Sequence, residues 1–208
     1  MMMPASQSNH PLPILIIACG ALAHEIVALQ ALNGWNHMHL TCLDAELHNK
    51  PQLIAGKLRQ KIAQHRDDYE NIFVAYADCG TGGAIDKVLL EAGIERLPGA
   101  HCYSFFAGER QFAAIGEQAI GTFYLTDFLV KHFERLVIKG LKLDSHPELR
   151  NQLFAHYTHL VYLSQTQDPL LIEQAKAAAK VLGLIFKHHH CGYGDLQNGL
   201  EEQVLKFG

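Results

Sequence analysis

Five cysteines (Cys19, Cys42, Cys79, Cys102, Cys191) and fourteen histidines hold most of the reactive chemistry in this chain of 208 residues. A thiolate is both a nucleophile and a soft metal ligand, and a neutral imidazole is the commonest nitrogen ligand, so the positions of these groups come first. Cys19 follows the apolar run 14–18, Cys79 lies just past "NIFVAYA", Cys102 follows a short strand or bend in "GIERLPG", and Cys191 follows "LIFKHHH". Four of five thiols therefore fall where an apolar segment has just ended. Cys42, inside "LTCLD", reads as a small buried hydrophobe.

Cys19 and Cys79 are each followed by glycine and then by a helix-forming run. A thiol held at a helix N-terminus is more acidic than usual, which makes Cys79 the candidate nucleophile and both residues candidate ligands. His48 in "ELHNKP" and His101 beside Cys102 are the imidazoles placed to join them. Thiolates from Cys19, Cys79 and Cys102 with His48 or His101 match tetrahedral zinc in charge and softness, although no compact Cys-x-x-Cys pair is present. Asp78, Gly80, Thr81 and Gly82 form the turn expected to border a small-molecule substrate. That turn lacks the Walker lysine and the dinucleotide spacing that would mark a phosphate loop.

These residues need a scaffold that brings strand ends together. Short apolar runs alternate along the chain with amphipathic runs such as "PQLIAGKLRQKIAQH" and "DPLLIEQAKAAAKVLG", the latter started by Asp168-Pro169 and ended by Gly183. Strands apolar throughout, alternating with helices, predict an α/β, Rossmann-like fold: a mostly parallel sheet with helices on both faces, as one unit or two small lobes. Residues 1–12 read as a flexible leader and 13–208 as the α/β domain, with a lobe division near Gly121. In such sheets ligands bind beyond the carboxyl ends of the strands.

Composition narrows the function classes. With 17 basic and 21 acidic residues, a net charge of -4 and no basic run, nucleic acid is a poor partner. No window reaches the roughly 18 apolar residues of a membrane span, and no secretory signal heads the chain, so a cytoplasmic protein is expected. Thiols stay reduced there.

The ordered segments "ACGAL", "LHNKP", "YADCGTGG", "HCYSFFAGE" and "GTFYLTDFL", spanning about Ile14 to Gly194, resemble a bacterial and archaeal family of unknown function, often encoded beside corrinoid-dependent methyltransferases. The recurring cysteines and histidines of that family fall on Cys19, His48, Cys79, His101 and Cys102. Many relatives read His-Asp-Cys where this chain reads His101-Cys102. The resemblance implies a shared Cys/His metal centre, a role in methyl or one-carbon transfer, and a corrinoid protein or methyltransferase as partner. Cys191 and the His188–His190 run have no counterpart in it.

Three functions remain open on the sequence. The first is a zinc site whose thiolate is a nucleophile in methyl transfer. The second is a racemase or isomerase with Cys79 and Cys191 facing one carbon. The third is a non-enzymatic module holding a metal such as iron, a haem or a corrinoid.

Overall fold

A computed structural model describes residues 12–118 and 121–207. The leader expected at 1–12 lies, up to residue 11, outside them. The fold is α/β, built on two parallel sheets. The first has the order β2-β1-β3-β4, from β1 (Ile14–Cys19), β2 (Met38–Leu43), β3 (Asn71–Ala75) and β4 (Glu95–Arg96). The second has the order β5-β6-β7, from β5 (Thr122–Leu125), β6 (His159–Ser164) and β7 (Ile185–His190).

β1 is the axis of the first sheet because every one of its residues is apolar and buried. It pairs in parallel on both sides, Ile16 standing beside Leu40 and Phe73, and Cys19 beside Leu43. Each fully buried aliphatic side chain there contributes about 1.5–3 kcal/mol. Helices α1 (Ala23–Asn33), α2 (Ile54–His65) and α3 (Ala84–Ala92) connect these strands. The apolar stripe expected on α2 is buried at Ile54, Leu58 and Ile62, whereas Leu53 lies outside the helix and is 46% exposed.

The run "HCYSFFAGERQFAAIGEQA" forms two helices, α4 (Cys102–Ala107) and α5 (Glu109–Gln118). The break falls at Gly108, whose φ of 75° a side chain would strain. In the second sheet, α6 (Asp127–Lys131) leads into a π-helical turn at Glu134–Lys139, followed by α7 (Leu149–Leu153) and α8 (Pro169–Leu182). The Asp168 carboxylate caps α8 by accepting from Leu170 N–H at 2.9 Å.

The last helix, α9 (Gly194–Phe207), packs against α4 and buries Leu196 and Leu200 in the core of the first sheet. Gly194 and Gly199 permit the approach. A Cβ on Gly194 would overlap the Phe106 carbonyl oxygen, and one on Gly199 would overlap the Leu97 side chain. No helix among the described residues is long and apolar enough to cross a membrane.

Candidate functional site

Since β1 to β4 all run the same way, the segments leaving them meet at one edge, and that edge is where Cys19, His48, Cys79, His101 and Cys102 come together. All five line a single cavity of about 250 Å³. Its opposite wall comes from the second sheet and its connections, including Phe123, Phe128, Leu136, Phe154 and Tyr157. Asn49 Nδ2, donating to Leu136 O at 3.0 Å, and an Arg135–Glu46 ion pair at 3.1 Å tie the two walls together beside it.

Cys79 Sγ and Cys102 Sγ lie 3.3 Å apart, in hydrogen-bond contact and with no disulfide between them. The Cys102 S–H donates to Cys79, and the backbone N–H groups of Cys102 and Ala77 add to it, so the Cys79 thiol is held below its ordinary value despite burial. Cys102 moves the other way, because it carries the shared proton and is itself desolvated. The pair is thus polarised, Cys79 being the more acidic thiol and Cys102 the less acidic one. Cys79 also sits at φ 49°, one of two non-glycine residues with positive φ among the described residues. A non-glycine residue keeps that conformation only when its surroundings impose it, and such residues cluster at functional sites.

The expected cause of Cys79's acidity is corrected by the structure. The helix after it begins at Ala84, not at the cysteine, and the donors come from Cys102 and Ala77. The intervening turn has its own anchor: the Asp78 carboxylate accepts from Thr81 Oγ1 at 2.7 Å, Gly83 N–H at 2.8 Å and Gly82 N–H at 3.1 Å. Asp78 thereby occupies the N–H groups that a substrate anion would have used. None of Asp78, Gly80, Thr81 and Gly82 lines the cavity.

Loop 97–100 braces this turn. Asp78 N–H donates to Gly99 O at 3.1 Å and Cys79 N–H to Ala100 O at 2.9 Å. Arg96 holds that loop through Leu97 O at 2.8 Å and Gly99 O at 3.2 Å, while pairing with Asp86 at 2.6 Å. Arg96→Met should cost about 1–2 kcal/mol in denaturant unfolding, mostly from the two carbonyl bonds, because Asp86 is exposed and its pair is screened. An unchanged unfolding midpoint would show that the brace is dispensable.

Cys19 is buried, and its thiol is pushed up to about 11 by that burial, although Ala21 N–H and the Tyr76 hydroxyl donate to it. It is a less acidic thiol than Cys79. His48 stands at the rim with its outer edge in solvent. Loss of water on the cavity side, then the neighbouring His101, push its imidazole below the ordinary histidine value. Its Nε2 lies 3.5 Å from the Tyr103 hydroxyl, and the Tyr103 ring stacks on Tyr124 at 5.4 Å.

Among the described residues, no group of three or more His, Cys, Asp or Glu side chains is arranged to hold a metal ion. The donor chemistry nevertheless suits one. Two sulfurs bound to one zinc, each about 2.3 Å from it, stand about 3.8 Å apart, close to the spacing of Cys79 and Cys102.

Cys191 lies elsewhere. Its sulfur donates to His189 O at 3.6 Å and does not line the cavity, so it does not share it with Cys79. Cys42 is half-buried within β2. His188 Nε2 and His190 Nδ1 both contact Ser164 Oγ, at 2.9 and 3.2 Å, on the far strand of the second sheet. Asp127 is buried and takes hydrogen bonds from the Tyr162 hydroxyl at 2.6 Å and from the N–H groups of Thr166 and Gln165, which fastens α6 to the end of β6. Sequence reasoning overlooked Tyr76, Ala77 and Tyr103, as well as the aromatic wall. Only the aromatic density of "HCYSFF" hinted at them.

A family model described as a protein of unknown function, DUF1638, matches residues 42–200. No curated protein matches the chain in sequence. Among solved structures, ornithine carbamoyltransferase from Pyrococcus furiosus is similar at 12% identity with a TM-score of 0.25. The match covers 87% of this chain and 55% of that one, so the chain spans about half the length of that enzyme.

Proposed function

Because the chain belongs to the DUF1638 family, whose description names no reaction, we propose from the cavity itself that it is a thiol-centred site for a soft metal ion, zinc first, and a small-molecule substrate. The polarised Cys79–Cys102 pair at 3.3 Å on its floor carries this reading. Cys79 and Cys102 would be the first two ligands, and Cys19, His48 or His101 would complete the set by side-chain rotation. A bound zinc would keep the thiols deprotonated and polarise the group under attack.

The protein's own residues supply the rest. Cys79 is the nucleophile, the backbone N–H groups of Cys102 and Ala77 hold its charge in place, and neutral His48 at the rim is able to take up or return a proton. Transfer of a methyl or other one-carbon group, with a corrinoid protein or methyltransferase as partner, is supported only by the resemblance to the family's gene neighbourhood. A reducing cytoplasm suits five free cysteines. The racemase reading loses its second cysteine from this cavity.

Elemental analysis of protein purified without an affinity tag tests the metal. About one zinc per chain is expected, falling at least tenfold in Cys79→Ser with the fold unchanged by circular dichroism. A metal-free wild type would remove the metal from the proposal. A visible absorption band would replace zinc by iron, haem or a corrinoid.

A further inference from the structure

The charge of the cavity wall bears on what can enter it. None of the described residues lining the cavity is Lys, Arg, Asp or Glu. Its polar groups are the three thiols, two imidazoles, Asn49, Thr126 and two tyrosine hydroxyls, and its largest surfaces are aromatic and aliphatic.

An anionic substrate would need its charge matched, and both the nearby arginine and the N–H groups of the glycine-rich turn are already engaged. Arg96 stands behind the turn, committed to Asp86 and to two loop carbonyls, and is not part of the wall. The N–H groups of Gly82 and Gly83, the natural anion cradle of a glycine-rich turn, already hold the Asp78 carboxylate. A carboxylate or phosphate in this cavity would find no lysine or arginine on the wall to match its charge. An uncharged molecule loses nothing of the kind and gains by covering the apolar wall.

We propose that the substrate of this site is an uncharged, largely apolar small molecule whose reacting carbon meets Cys79 Sγ. A cavity of about 250 Å³ limits that molecule to a small one. The charge preference rests on the side chains of the wall, and the identity of the reacting sulfur rests on the proposed function.

Two measurements on the wild-type protein as isolated separate its parts. The first compares alkylation of Cys79 by neutral iodoacetamide and anionic iodoacetate, mapped by peptide mass spectrometry, with N-acetylcysteine as the reference thiol. In both reactions the thiolate sulfur forms a bond to the methylene carbon while the carbon–iodine bond breaks and iodide leaves with the electron pair. The amide-to-acid rate ratio at Cys79 should exceed that of the reference at least tenfold.

The second measurement compares binding of benzamide and benzoate, equal in size and different in charge, by ligand-observed NMR. Benzamide should bind at least tenfold more tightly, and saturating benzamide should slow alkylation of Cys79. Benzoate binding as tightly as benzamide, or a rate ratio equal to the reference, would overturn the substrate class even where Cys79 alkylates rapidly. Slow alkylation by both reagents alongside selective benzamide binding would overturn the thiolate reading and keep the charge preference. Binding of neither aromatic would overturn the proposal.

Discussion

Cys102→Ala should move the pH midpoint for alkylation of Cys79 upward, toward the ordinary thiol value of 9.0, while Cys102→Ser should move it less. The sign follows from the direction of the shift. Cys79 is depressed because donors stabilise its charged form, so removing the strongest donor destabilises the thiolate. A hydrogen bond to a charged group is worth about 1.5–3 kcal/mol, and one pKa unit corresponds to about 1.4 kcal/mol. Serine keeps a hydroxyl donor at the same place. The rate at neutral pH should fall by less than the thiolate fraction, because a more basic thiolate is also more nucleophilic. The midpoint is therefore the cleaner readout, and Cys79→Ser should abolish the labelled peptide. A midpoint that stays put in Cys102→Ala would mean that the polarised pair does not exist in solution.

Replacing Leu196 and Leu200 together by alanine should remove most of the stability of the first sheet. Both side chains are fully buried in its core, and each truncation costs about 3 kcal/mol, against a total of about 5–15 kcal/mol for a domain. The effect should reach the site. Because α9 lies on α4, the helix that begins with Cys102, the double variant should expose Cys102 to thiol reagents below the global unfolding midpoint. Each single variant should shift the denaturant midpoint by about half as much. A double variant as stable as the wild type would show that α9 is an accessory to the first sheet and not part of it.

The scaffold was legible because its signals are local. "ILIIAC" is apolar throughout and stops at a glycine, and a segment of that kind has no stable place except a strand covered on both faces. Parallel connection then sends the strand ends to one edge, so grouping Cys19, His48, Cys79, His101 and Cys102 followed from topology. What escaped was anything set by contacts distant in sequence. Cys79's donors lie on Cys102 and Ala77, and its backbone strain shows in no composition. Asp78 looked like a substrate contact because carboxylate, threonine and glycines also build binding turns; only the hydrogen bonds show that the loop satisfies itself. The apolar wall, from Phe123 to Tyr157, is gathered from β5, α6, a π-helical turn and α7, and no spacing marks it.

The return of α9 to the first sheet also orders events in time. The ribosome releases β1 to β4 first, yet Leu196 and Leu200 emerge only after the whole second sheet has been made. Until then the hydrophobic face that α9 covers is bare, and Cys102 has no settled helix to hold it against Cys79. The close Cys79–Cys102 contact therefore joins a residue of the first sheet's edge to a helix whose cover is made last among these elements.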